Sequence, residues 1–150
     1  MTGVDAQPSQ ALAVGWGRAL VFGYGVFAVA ATGRSLVQLS TDAGKAPLAY
    51  SLSLFAAIVY LVATTSLLLG GRTGWRIAAT AVCVELLGVL SVGALSYAAT
   101  DLFPDKTVWS HFGQGYGFLP LVLPFAGLAW LRHTLASSLA GRAPRPAQQT

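Results

Sequence analysis

Four long apolar stretches alternate with short polar segments along this chain of 150 residues. The stretches cover residues 17–39, 47–69, 74–99 and 112–135. Each is long enough for a helix that crosses a bilayer core, which takes about 20 residues. Pro47 suits the first turn of the second helix, and the pair Gly70-Gly71 marks its end. The pattern predicts an all-α protein, an integral membrane four-helix bundle over residues 16–135.

The two ends of the chain differ from this apolar region. Residues 1–15 and 136–150 are small and polar, and the second segment also carries arginines and prolines. Such segments bury too little apolar surface to offset the entropy of ordering. We therefore predict a disordered N-terminal lead and a disordered basic C-terminal tail.

Composition and charge strengthen the membrane assignment. Charged residues make up 9% of the chain and hydrophobic residues 55%, whereas soluble domains carry about 25% charged residues. One set of flanks carries most of the cations: Arg18, Arg72, Arg76, Arg132, Arg142 and Arg145. The opposite connections carry only Lys45 and Lys106. Because cytoplasmic flanks hold the excess of Lys and Arg, both termini are predicted to be cytoplasmic. Cations at the ends of apolar runs suit membrane flanks better than a nucleic-acid surface, so nucleic acid is not expected as a partner.

One carboxylate interrupts the third apolar stretch. Glu85 lies near its middle, and ionisable groups at such depth usually face the bundle interior and pair with another group. Arg34 interrupts the first stretch, and its side chain leans back toward the midplane because helical side chains point to their N-terminus. Tyr60 lies near mid-depth in the second stretch and needs a partner for its hydroxyl. We predict a buried polar cluster of Arg34, Glu85 and Tyr60, with Gln38 on the Arg34 face.

This cluster has two interpretations at the level of sequence. A satisfied buried network can fix helix register and do nothing more. Alternatively, the intramembrane charges line a proton or ion pathway. An unpaired Glu85 would favour its neutral form and exchange protons.

The segment before the fourth stretch is the densest polar and aromatic surface outside the apolar runs. Its candidate binding residues are Asp101, Asp105, Trp109, His111 and Gln114. They are predicted to lie outside the membrane, where they would bind a ligand or a partner protein. The competing interpretation is that Trp109 only anchors the chain at the membrane interface.

The sequence offers no set of residues for catalysis or metal binding. The single cysteine, Cys83, excludes an internal disulfide and a cysteine-based metal cluster. The two histidines, His111 and His133, are predicted on opposite membrane faces, and no histidine–acid pair stands beside a nucleophile. We therefore expect a protein that is not an enzyme and holds neither a metal nor a cofactor.

An alternative concerns the first stretch. Arg18, the apolar residues after it and the triplet Ala28-Val29-Ala30 resemble a secretory signal with a small-residue cleavage site. However, the apolar run continues beyond Arg34, and a run of this length is longer than the apolar region of a typical signal. A retained first helix is the favoured interpretation.

Three segments, GYGVFAVAATGRSLVQLST, APLAYSLS and TVWSHFGQGYGFLPLVLPF, resemble uncharacterised small four-span integral membrane proteins of actinobacteria. The resemblance covers most of the chain from Arg18 to Leu131. It implies a multi-pass protein of a bacterial cell membrane, and it brings no assigned activity and no functional residues.

The leading functional expectation is a non-enzymatic accessory or interaction subunit. It would lie in the lipid bilayer and form a homo-oligomer or join a larger membrane complex. The alternative is a small oligomeric proton-coupled transporter or ion channel that uses Glu85 and Arg34.

Overall fold

The computed structural model describes residues 15–140 of the chain. Four long α-helices make up most of this region: α1 Trp16–Asp42, α2 Pro47–Leu69, α3 Gly71–Ala98 and α4 Leu119–Ala140. Two short 3-10 helices, Thr100–Leu102 and Ser110–Tyr116, lie between α3 and α4. No β-strand occurs among residues 15–140. The prediction of an all-α chain with four long apolar helices is confirmed.

All four helices are long and apolar enough to cross a membrane. The first helix, α1, has 27 residues and therefore measures about 40 Å at 1.5 Å per residue. A bilayer core is about 30 Å thick. A straight α1 would thus extend past one boundary of such a core or tilt within it.

The helices pack in a closed ring, because each contacts its neighbour in sequence and α1 also contacts α4. Small residues allow close approach at these contacts: Ala56, Ala57 and Ala63 of α2 and Ala78 of α3 are almost fully buried. At one end of the bundle, the α1–α2 connection lies against the segment between α3 and α4. We call this the loop end, and the end with Gly70 the termini end.

The helix bounds differ from the predicted ones mainly at α4. This helix begins at Leu119, seven residues after the predicted start at 112, and continues to Ala140. Residues 136–140, which were predicted as the start of the disordered tail, belong to α4. Residues 141–150 of that tail and residues 1–14 of the predicted lead over 1–15 lie outside the described region. The late start agrees with Pro120, because a proline in the first helical turn loses no hydrogen bond.

The residues before α4 form neither a helix extension nor an external loop. Residues 107–117, which we call the plug segment, turn back into the bundle, and Thr107, Trp109 and Ser110 are buried. The turn uses left-handed backbone conformations at His111 (φ 53°) and Phe112 (φ 59°). Non-glycine residues rarely adopt such angles unless the surrounding packing enforces them.

Two glycines of α3 make room for the plug segment. A Cβ atom on Gly88 would lie 2.5 Å from the Trp109 ring, and one on Gly93 would overlap the Phe112 ring. Gly88 is ten residues before the end of α3, so the indole reaches about 15 Å into the bundle. The interpretation of Trp109 as an interfacial anchor is wrong, because only 1% of its surface is exposed.

Candidate functional site

Glu85 of α3 lies at the centre of the bundle with no exposed surface. Its carboxyl faces the hydroxyls of Tyr24 from α1 and Tyr60 from α2. Neither hydroxyl meets hydrogen-bond geometry with it, so both carboxyl oxygens lack a hydrogen-bond partner among the described residues. The Tyr24 hydroxyl also lacks a hydrogen-bond partner among the described residues. Buried polar groups without partners are rare in proteins and call for an explanation.

Tyr24 belongs to the buried stripe of α1. Residues three or four positions apart share one helix face, and the stripe consists of Leu20, Tyr24, Phe27, Ala28, Ala31 and Ser35. The predicted cluster used the adjacent face of α1, through Arg34, and did not include Tyr24. The available signal was this stripe of small and aromatic residues, in which Tyr24 is the large polar member.

Trp109 completes the surroundings of the carboxyl. Its indole Nε1–H donates to the Tyr60 hydroxyl oxygen over 3.1 Å. Because that oxygen accepts a hydrogen bond from the indole, the Tyr60 hydroxyl keeps its own proton for donation toward Glu85. The Tyr24 and Tyr60 rings lie 6.2 Å apart between centroids. We call Tyr24, Tyr60, Glu85 and Trp109 the inner site.

Arg34 belongs to a different group of side chains at the loop end. Its Nη2 donates to the Lys106 carbonyl oxygen over 2.8 Å, and its Nη1 donates to the Tyr116 hydroxyl over 3.2 Å. Its Nε donates to Gln38 Oε1 over 3.4 Å. The guanidinium thus joins α1 to the segment between α3 and α4. We call Arg34, Gln38, Tyr50, Asp105 and Tyr116 the outer cluster.

Asp105 is the carboxylate of the outer cluster. Its Oδ2 accepts from the Tyr50 hydroxyl over 3.1 Å and from Gln38 Nε2 over 3.3 Å. Its Oδ1 accepts from the Lys106 backbone N–H over 2.7 Å and lies 3.9 Å from Arg34 Nη2. Partial burial acts to raise the pKa of Asp105, but these donors and the positive charge of Arg34 outweigh burial and hold the pKa below its usual range. Asp105 therefore carries a charge at neutral pH.

The predicted pairing of Arg34 with Glu85 is wrong. The α1 residue beside Glu85 is Tyr24, which precedes Arg34 by ten positions, and ten helical residues rise about 15 Å. A side chain that leans toward the helix N-terminus does not cover that distance. Of the four residues predicted to cluster, Glu85 and Tyr60 meet in the inner site, whereas Arg34 and Gln38 lie in the outer cluster.

The five candidate residues of the loop do not form one binding surface. Asp105 lies in the outer cluster and Trp109 in the inner site. The His111 ring packs edge-on against Tyr97 at 4.6 Å between centroids. Asp101 and Gln114 are exposed. A pocket of about 260 Å³ at the loop end brings two of the five together, Asp105 and His111.

An aromatic side chain connects the inner site with the outer cluster. The Phe27 ring lies 5.6 Å from the Tyr60 ring and 5.7 Å from the Tyr116 ring. Tyr116 in turn accepts the hydrogen bond from Arg34. Phe27 therefore packs against one ring of the inner site and one ring of the outer cluster.

We expect Arg34 to couple energetically with Asp105 and not with Glu85. A double-mutant cycle of Arg34→Gln and Asp105→Asn should give a coupling of about 0.5–1 kcal/mol, because both side chains are about one-third exposed and solvent weakens the pair. The cycle of Arg34→Gln with Glu85→Gln is the control and should be additive. Thermal unfolding in detergent measures both. A larger coupling with Glu85 would contradict the observed separation.

The chemistry available at the inner site is proton exchange. A carboxyl, two phenol hydroxyls and an indole N–H meet there, and residues 15–140 hold no group of three or more His, Cys, Asp or Glu that could bind a metal. The carboxyl can take up a proton, and the hydroxyls can donate to its ionised form. This interpretation depends on the geometry alone, because no family model, curated protein or solved structure matches the chain.

Proposed function

We propose that this chain is a multi-pass protein of a bacterial cell membrane, with both termini cytoplasmic. Its four helices have the length and composition of membrane spans. The cations also support the orientation, since Arg18, Arg72 and Arg132 are exposed near the termini end. The described cations of the loop end are the exposed Lys45 and Lys106 and the partly buried Arg34, which is paired with Asp105. This asymmetry follows the positive-inside rule.

Within the membrane, the proposed function is proton translocation, with Glu85 as the group that takes up the proton. The observation that carries this proposal is a fully buried carboxyl whose two oxygens have no hydrogen-bond partner among the described residues. With Arg34 in the outer cluster, no salt bridge among the described residues explains why a carboxyl lies there. Ionisable groups inside a membrane bundle commonly mark ion pathways and proton relays.

The proposed route to Glu85 begins at the loop end. The outer cluster is partly exposed, and its Tyr116 packs against Phe27, which also packs against Tyr60. The plug segment covers this route with Trp109. Its left-handed backbone at His111 and Phe112 is a local strain of the kind found at switching segments. Movement of the plug segment would admit water to the hydroxyls and let Glu85 exchange its proton.

Proton flux into liposomes tests this function. Vesicles that contain the purified protein and a trapped pH-sensitive dye are given an inside-negative potential. We expect wild-type vesicles to acidify, Glu85→Gln to fall to the rate of empty vesicles, and Asp101→Asn, which removes an exposed carboxylate, to keep the wild-type rate. Wild-type vesicles that acidify no faster than empty ones would reject proton translocation.

A second candidate function, the non-enzymatic accessory or interaction subunit, has its own support. The plug segment is held by the Trp109–Tyr60 hydrogen bond and by the packing of its rings against Gly88 and Gly93 of α3. Such a buried network also specifies one helix arrangement. Under this proposal the inner site is structural, and the protein binds a second copy or a larger membrane complex. The two functions predict different effects of removing the Glu85 carboxyl.

A further inference from the structure

A long groove runs along the outer surface of the bundle between α2 and α3. Its volume is about 530 Å³, within the range of about 300–1,000 Å³ that small-molecule sites occupy. Most of its lining is apolar and comes from both helices: Phe55, Ile58, Val59, Val62, Ile77, Ala81 and Val84. The remaining lining residues are Thr73, Arg76 and Thr80 of α3. The groove is therefore apolar along its length and cationic toward the start of α3.

Among the described residues, no anion pairs with the cation at this end of the groove. Arg76 is exposed, and the ion pair found among residues 15–140 is that of Arg34 with Asp105. The five acidic residues of the chain are Asp5, Asp42, Glu85, Asp101 and Asp105. Three belong to the loop end and one to the inner site, while the fifth lies outside the described residues. Among the described residues, no carboxylate is paired with Arg76, so an anion from another molecule can bind there.

The opposite end of the groove reaches the wall of the inner site. Phe55 lines the groove and packs edge-on against Trp109, with ring centroids 6.1 Å apart. The apolar groove thus extends from the termini end to the level of the plug segment. Its shape and polarity fit an elongated apolar chain with a negative group at one end.

We infer that this groove binds an anionic phospholipid, with one acyl chain between α2 and α3 and the phosphate group at Arg76. Basic pockets between membrane helices on the cytoplasmic side commonly bind anionic head groups. The inference rests on the proposed membrane placement, and it is independent of proton uptake at Glu85.

The test measures phospholipid binding to the purified protein in detergent. Phosphatidylglycerol and phosphatidylcholine with the same acyl chains are the probes, and native mass spectrometry counts the bound molecules. We expect wild-type protein to retain phosphatidylglycerol more strongly. Arg76→Gln should weaken its binding about fivefold, the effect of one cation at a membrane surface. Arg72→Gln is the matched control, because Arg72 is exposed about one helical turn before Arg76 in α3 and does not line the groove.

A second variant tests the apolar part of the groove. Thr80 is exposed and lines it, so Thr80→Trp should fill the space and release both lipids. Thermal unfolding without added lipid verifies that each variant folds. Three results would each overturn the inference. They are an equal loss of phosphatidylglycerol from Arg76→Gln and Arg72→Gln, an equal retention of the two lipids by the wild type, and full lipid binding by Thr80→Trp. Because no proton gradient is involved, a failed flux experiment leaves this result unaffected.

Discussion

Gly88→Ala should destabilise the protein by about 1–3 kcal/mol, the range for overpacking a filled core. The added Cβ would lie 2.5 Å from the Trp109 ring. That ring cannot easily move away, because it is 1% exposed, bonded to Tyr60 and packed against Phe55. The overlap therefore outweighs the gain of about 1 kcal/mol that alanine brings to a helix interior. Thermal unfolding in detergent measures the effect.

Gly33→Ala provides the matched control. Gly33 also lies inside a helix, is exposed, and would present its Cβ to open space. We expect this change to leave the unfolding temperature unchanged or to raise it slightly, since only helix propensity is altered. If Gly88→Ala were as stable as Gly33→Ala, the plug segment would not be packed tightly against α3.

Hydropathy alone was sufficient to predict the four helices, because an apolar run of this length has few alternatives to a helix. It was insufficient to predict the plug segment. Residues 112–118 are glycine-rich and aromatic, and their composition continues smoothly into the apolar run after Leu119. The turn into the bundle depends on where Gly88 and Gly93 leave space. That information lies on another helix, more than 15 residues away in the chain.

The candidate site was harder to predict for the same reason. The sequence correctly indicated that a carboxyl inside an apolar helix is unusual, but its surroundings depend on how the helices align in depth. The Arg34 guanidinium contacts Asp105 and the Lys106 carbonyl at the loop end. These partners lie more than 70 positions after Arg34 in the chain. The predicted α1 neighbour of Glu85, Arg34, lies about 15 Å along the helix from the observed neighbour, Tyr24.

Glu85→Leu should raise the stability of the protein by about 1–3 kcal/mol, because it removes the usual cost of burying a polar group without a partner. Both carboxyl oxygens lack hydrogen bonds among the described residues, and leucine has a similar volume without polar atoms. At the same time, Glu85→Leu should abolish proton flux. A stabilised but inactive protein is the pattern expected where function requires an unfavourable group. Unfolding temperature in detergent and flux in liposomes measure the two effects.

Ser35→Ala is the control for this experiment, because Ser35 is also fully buried and its hydroxyl is also unpartnered. It should gain some stability while proton flux stays at the wild-type rate. The opposite result for Glu85→Leu, a clear loss of stability, would mean that the carboxyl holds Tyr24 and Tyr60 in place. Removing one member of a satisfied network is destabilising, since it leaves its partners unpaired. That outcome would favour the accessory subunit over proton translocation, because a carboxyl that stabilises the bundle needs no transport role to explain its burial.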